Sequence, residues 1–212
     1  LAGTSPSGAE VVTTTEMKTY TVSGTTPLTI LHSMLKRGRQ IGHAGSMAIT
    51  YARLSFKADI SGGDDCRVRS NRVTASFMIS LPQHASETTL PASTRKAFRA
   101  FREYAKAHEL RHREIYLGCA RRADRAILKL RAAGNCSAVA RSAKQLWKAE
   151  MDRCKAAHAT FDKRESARST KVPLLREAMA AFSAQMTTRA QSAETQVGHA
   201  GGGGRRIEGI GR

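Results

Sequence analysis

Over the first 83 residues apolar side chains tend to recur at every second position, and from about residue 91 onward they recur at every third or fourth. The first spacing belongs to strands with one buried face, the second to amphipathic helices. Tyr20 and Val22 alternate with Thr19, Thr21 and Ser23 and predict a short strand that Gly24 ends. A helix is expected next. Leu28, Ile30, Leu31, Met34 and Leu35 fall within about two turns, Thr26 stands where a cap would, Pro27 takes the first helical position and Gly38 closes the segment. Residues 48–58 then alternate, with Ala48, Thr50, Ala52, Leu54, Phe56 and Ala58 on one face and Ile49, Tyr51, Arg53, Ser55 and Lys57 on the other. The run Ser61-Gly62-Gly63-Asp64-Asp65 reads as a turn. After it, residues 66–81, carrying Val68, Val73, Phe77, Ile79 and Leu81, should pair back as an antiparallel hairpin that Pro82 stops.

The second half follows the helical period. Between residues 92 and 132 Gly118 is the one glycine and there is no proline, while Phe98, Phe101, Ala105, His108, His112, Ile115, Cys119, Ala126 and Leu130 recur at spacings of three, four or seven. Gly134 and Asn135 break this helix. A second helix is expected over about 137–166, with Val139, Ala143, Leu146, Trp147, Met151, Cys154 and His158 along it and Trp147 as a core anchor between the two helices. A shorter helix should follow Pro173. Two long helices joined by a short turn predict an antiparallel hairpin.

The expected fold class is therefore α+β: a small antiparallel sheet with one helix, packed on a long antiparallel helical hairpin. The reading divides the chain into a flexible leader over residues 1–16, a single domain over 17–186 with a sheet half (17–83) and a helical half (91–186), and a flexible tail over 187–212 marked by Gly201 to Gly204.

Composition narrows the class without changing this picture. With 212 residues, 41% hydrophobic and 25% charged, the chain is long enough for one buried core and is neither fibrous nor wholly disordered. No run approaches the roughly 18 apolar residues of a membrane-spanning helix. Lys and Arg number 35 against 17 acids, a net charge of +18, which raises the question of an anionic partner. Residues 95–176 hold 22 of the cations and 8 of the acids, spread around the helices with no recognised DNA-binding or RNA-binding motif. Nucleic acid is accordingly disfavoured, and an anionic cell-envelope polymer is the polyanion to consider. Four cysteines without a C-x-x-C pair suit two disulfides in an oxidising compartment, and the opening at Leu1 suits a processed chain, so a periplasmic or secreted protein is expected.

The chemistry lies at His108-Glu109-Leu110-Arg111-His112. Histidines at i and i+4 project from one face of a helix and can bind a single Zn2+, while the glutamate between them can act as general base toward water at the metal. A third protein ligand must come from farther along, because Ile115 and Gly118 occupy the places of the glycine and last histidine in the extended motif. Tyr116, one turn past His112, could hydrogen-bond an oxyanion. The cysteines supply a register. Cys136 and Cys154 would stand about 27 Å apart on one helix at 1.5 Å per residue, too far to bond. Cys119 can meet Cys154 across the hairpin, which leaves Cys66 to Cys136. If Cys119 faces Cys154, Phe161 falls opposite His112 and Glu165 opposite His108, so the candidate third ligands are Asp162, Glu165 and, a turn away, His158.

The order of these elements, with the 66–68 strand start, Leu81-Pro82, Ala107-His108-Glu109, His112 and the later Phe161-Asp162, resembles the bacterial family of predicted secreted zinc-dependent proteases over about residues 17–170. The resemblance implies a zincin-like fold, zinc and a peptide or protein substrate. It also implies a Y-D-x-x-T-x-H-G segment near the end of the second long helix. Phe161-Asp162 matches its start, but Glu165 replaces the threonine, and Ala167 and Arg168 stand where histidine and glycine would be. A ligand supplied elsewhere in the family by that histidine would here have to come from Glu165, Asp162 or His158. Three functions follow: a zinc hydrolase, in first place a peptidase; a catalytically inactive zincin-like binding module, favoured by loss of T-x-H-G; and a basic protein that binds a polyanion.

Overall fold

The computed structural model describes residues 10–41 and 44–200. Strand β1 (Glu10–Val22) leads to helix α1 (Pro27–Arg37), a two-residue ribbon of β2 (Gln40–Ile41) and β3 (Ala44–Gly45), and two long strands, β4 (Ile49–Ser61) and β5 (Asp65–His84). Helix α2 (Ala92–Ile127), a short strand β6 (Arg131–Ala133), helix α3 (Cys136–Ser169) and helix α4 (Pro173–Ala200) follow. This is a mixed α+β chain with a four-stranded sheet and four helices.

Strand β5 is the spine of the sheet. On one side it pairs antiparallel with β4, from Ile49 opposite Ser80 to Ser61 opposite Arg67. On the other side β1 runs parallel to it, from Glu10 opposite Arg72 to Val22 opposite His84, and β6 continues that side beyond β1. The antiparallel expectation thus holds for β4–β5 and fails for β1. Between β1 and β5 lie α1, the ribbon and β4, a connection long enough to carry the chain back before β5 starts, as a parallel pair requires.

Several boundaries also move. The strand expected around Tyr20 begins at Glu10, so residues 10–16, read as leader, form a full row of sheet pairs; residues 1–9 and the Gly201–Gly204 run lie outside the described residues. Pro82 does not stop β5. Pairing to β4 has already ended at Ser80, and past that point β5 has one neighbouring strand, where a missing N–H donor is tolerated. Helix α2 ends at Ile127, short of the expected 132, because residues 131–133 are taken into the sheet opposite Asp65, Cys66 and Arg67. Helix α4 is 28 residues long and not short, running through the part of the supposed tail up to Ala200.

Local chemistry explains the elements that matter for the site. The Thr26 hydroxyl caps α1 in a reciprocal box with Thr29, Pro27 opens the helix, and Leu28, Ile30, Leu31 and Met34 are buried. Gly38 ends it where the Ser46 carbonyl comes so close that no side chain fits. These residues join Val22, Ile79, Leu81, Phe98, Phe101, Leu174 and Ala178 in the largest core, between α1, α4, the first half of α2 and the sheet end. A second cluster joins Cys66 and Val68 of β5 to Ile127, Val139 and Ala143, and there Trp147 lies 5.0 Å from Phe56 of β4. The tryptophan therefore anchors α3 to the sheet as well as to the end of α2. Burying roughly 25 cal/mol per Å2 of apolar surface at such contacts is what holds helices on sheet.

Two disulfides fasten the layers. Cys66 at the start of β5 bonds Cys136 at the start of α3, and Cys119 of α2 bonds Cys154 of α3, the pairing expected from the helix register. No helix among the described residues is long and apolar enough to cross a membrane.

Candidate metal centre

Midway along α2 the helix has Phe101, Ala105 and Leu117 buried against its neighbours. Glu109 falls between them and is only 5% exposed, while His108 and His112, turned toward α3, are half-buried. Helix α3 brings His158, Phe161 and Asp162 to the same place. Phe161 is buried, with its ring centroid 4.8 Å from that of His108 and 5.0 Å from that of His112, so it fixes both imidazoles from the α3 side.

The polar atoms then converge. Nε2 of His108 and Nε2 of His112 are 3.1 Å apart, and Asp162 Oδ1 stands 3.0 Å from His112 Nε2 and 3.5 Å from His108 Nε2. These three residues form a group able to hold a metal ion, each offering one ligand atom within 4.8 Å of the others. Burial pushes the His112 imidazole down to about 4, with the neighbouring His108 and His158 adding to the shift and Asp162 opposing it. Burial likewise lowers His108 and His158. The three rings are thus neutral near pH 7, which leaves lone pairs free for coordination.

His158 takes a different position from the other candidates. Its Nδ1 lies 2.7 Å from His112 Nδ1, on the far side of the His112 ring from Asp162, and the Tyr116 ring packs 4.1 Å from its own. One proton must sit between the two Nδ1 atoms. Glu165 lies on the approach to His108, with Oε1 3.0 Å from Arg168 Nη1, outside the three-residue group. The helix register forecast Glu165 opposite His108, and Asp162 stands there instead, an offset of about one turn.

Glu109 reaches β4 and lines the same cleft as Asp162. The Thr50 hydroxyl lies 2.8 Å from Glu109 Oε2 and 2.9 Å from the Glu109 carbonyl, so a strand residue 59 positions away holds the carboxylate. Burial raises the Glu109 carboxyl to about 7, against the Thr50 hydrogen bonds, which lower it. A cleft of about 350 Å3 lined by Ala48, Thr50, His112, Tyr116, His158 and Asp162 opens on these groups. Tyr116 is on its wall, packed between His158 and Phe77. Thr50 was missed from sequence: alternation placed it with Leu54 and Phe56 on one face of its strand, and nothing in the pattern linked it to residue 109.

A family profile described as bacterial protein of unknown function (DUF922) matches residues 17–169. The chain belongs to this family. No curated protein and no solved structure matches it. The DUF922 match takes in the last six residues of β1, both long strands, α2 and α3, and with them Thr50, His108, Glu109, His112, His158, Asp162 and Glu165, while α4 lies beyond it.

Proposed function

We propose that this DUF922 protein is a zinc-dependent hydrolase, most simply a peptidase, acting in the periplasm or outside the cell. The convergence of His108 Nε2, His112 Nε2 and Asp162 Oδ1 carries the reading. Their separations of 3.0 to 3.5 Å bracket the roughly 3.3–3.4 Å edge of a tetrahedron whose ligands stand about 2.0–2.1 Å from a central zinc. Two neutral imidazoles and a carboxylate aimed at one point make a concentration of lone pairs that a cation relieves, and nitrogen with oxygen is a donor set that suits zinc. Two His and one acid also leave a fourth position for substrate, as catalytic zinc sites do. When bound, the metal would supply Lewis acidity toward a carbonyl oxygen.

The chain's own residues supply the rest. Glu109, held by Thr50 and with its carboxyl raised by burial to about 7, is suited to take a proton from water and return it to a leaving amine near neutral pH. Tyr116 on the cleft wall offers the hydroxyl for a developing oxyanion. The two disulfides support an oxidising compartment.

Zinc content of the purified chain tests this directly. About one zinc per chain is expected, lost in His112→Ala and in Asp162→Ala, whereas Glu109→Gln should keep the metal and lose hydrolysis by roughly 10²–10⁴-fold. Negligible zinc in parent and variants alike would dismiss the hydrolase and leave a binding module.

A further inference from the structure

Beside the site, facing away from β4, lies a second and larger concavity of about 660 Å3. Its floor is apolar, with Tyr104, Phe161 and Val172, and His108 closes one end, so it is continuous with the candidate metal centre. Its wall is cationic. Arg111 stands one turn beyond His108 on α2, Arg168 is in the last turn of α3, and Lys171 lies in the turn before α4. Glu165 compensates Arg168 at 3.0 Å. Arg111 and Lys171 have no acidic partner among the described residues.

Another basic concavity, lined by Lys18, Arg102, Lys106 and Arg113, touches none of His108, Glu109 and His112. There Glu16 pairs with Lys18, Glu87 with Arg102 and Glu114 with Arg113, so three of its four cations are already answered. Of the two concavities, the one that borders the site has two cations without an acid among the described residues, Arg111 and Lys171, and the one apart from it has one, Lys106. On the other flank of His108 a smaller cavity of about 290 Å3 is lined by Met47, Ala48, Phe101, Ala105 and Leu175, with Glu109, Asp162 and Glu165 as its acids. That flank repels an anion.

We propose that the wall of Arg111, Arg168 and Lys171 is a substrate subsite for a carboxylate, borne by a polypeptide on one side of the bond presented at His108. The proposal rests on the peptidase reading and names its substrate class: peptides with an acidic group on that side and an apolar residue on the other. Guanidinium and ammonium groups next to an apolar floor strengthen a charge-assisted hydrogen bond to a carboxylate, because less water competes there. The carboxylate can be a Glu or Asp side chain or the C-terminal group of the peptide.

Fluorescence anisotropy on the full chain, both as purified and with Glu109→Gln to prevent turnover, tests this with fluorescein-labelled decapeptide mixtures that share randomised flanks. One mixture carries a central Glu and an amidated end, one a central Gln and an amidated end, and one a central Gln and a free C-terminus. At 0.15 M salt one of the two carboxylate-bearing mixtures is expected to bind at least about tenfold more tightly than the neutral one, and which of them does so identifies the source of the carboxylate. The preference should vanish in Arg111→Gln with Lys171→Gln and invert toward a central Lys in Arg111→Glu with Lys171→Glu. Lys106→Glu, on the other concavity, should leave it unchanged, and circular dichroism of every variant shows that the fold is kept. Equal binding of all three mixtures, no binding of any, or a preference that survives charge reversal would overturn the subsite. So would tighter binding of an anionic glycan than of the peptides, which would assign the wall to a cell-envelope polymer. Zinc measured on the same samples separates the two readings: zinc without carboxylate preference removes this proposal alone, and preference without zinc removes the hydrolase.

Discussion

At the residue scale, the candidate site is a problem of proton placement. His112 presents Nε2 to Asp162 and His108, and Nδ1 to His158. A neutral His158 that accepts at Nδ1 holds the proton of His112 on its Nδ1 and so directs the Nε2 lone pair toward Asp162 and His108, where the proposed metal would sit. That is the support a ligating histidine ordinarily receives from a carboxylate or carbonyl. His158→Phe, similar in ring size, is expected to keep the fold and weaken zinc binding by about 10–100-fold, and His158→Gln, whose carbonyl can accept the same proton, should recover part of the loss. Competition titration with a zinc-chelating dye measures both; a Phe variant that binds zinc as tightly as the parent would exclude the role. His108 Nδ1 has no such support, being buried without a hydrogen-bond partner among the described residues. The sequence named His108, Glu109, His112, His158 and Asp162, since helical spacing and one disulfide bring them near each other. It could not say which nitrogen of His158 turned which way, because that is settled by the packing of Tyr116 and Phe161 around the rings.

Among the elements, the joint between β5 and α2 is the least obvious from sequence. Asn71 and Asp124 are almost fully buried, and the Asn71 side-chain amide donates to Asp124 Oδ1 at 2.7 Å, while Asn71 Oδ1 and Asp124 Oδ2 have no hydrogen-bond partner among the described residues. Burial pushes the Asp124 carboxyl above its ordinary value of 3.8, against the Asn71 hydrogen bond and the nearby Arg125. A carboxyl that binds its proton more tightly in the folded than in the unfolded chain takes stability away as pH rises through the interval from 3.8 up to the raised folded value. Asp124→Asn removes that loss and gives Asn71 Oδ1 a donor. It is expected to be more stable than the parent at neutral pH by on the order of 1 kcal/mol, with the gap closing below the ordinary carboxylate range. Urea unfolding at neutral and acid pH measures it, and a difference independent of pH would point to packing in place of ionisation. Close by, β5 carries a bulge where its register with β4 shifts, Asp59 pairing Ser70 and Ile60 pairing Val68. Here the sequence did hold a signal: Val68 is on an even position and Val73, Phe77, Ile79 and Leu81 on odd ones, a change of parity that an unbroken strand cannot bury on one face.

For the whole molecule, the disulfides bear unequal burdens. Cys66–Cys136 spans 70 residues and joins sheet to α3, and Cys119–Cys154 spans 35 and joins α2 to α3. By loop-closure entropy each should contribute about 4 kcal/mol, so Ala pairs at either site should lower urea stability comparably. Zinc affinity should fall only for the Cys119→Ala, Cys154→Ala pair, since Cys154 stands one helical turn before His158. Equal loss at both sites would mean that zinc binding follows global stability. What the sequence by itself determined is whatever repeats locally. The strand and helix periods, the Thr26-Pro27 start of α1 and the i, i+4 histidines around Glu109 all follow from spacing along a helix or strand, where geometry is set by residues a few positions apart. What only the tertiary structure decided is what depends on distant segments meeting. The parallel seat of β1, the passage of β5 through Pro82, the early end of α2 where β6 joins the sheet, the closeness of Asp162 and not Glu165 to the His108 and His112 nitrogens, and the grip of Thr50 on Glu109 each require a partner tens of residues away. Such meetings are chosen by how apolar faces bury against one another across the whole core, and no local period records them.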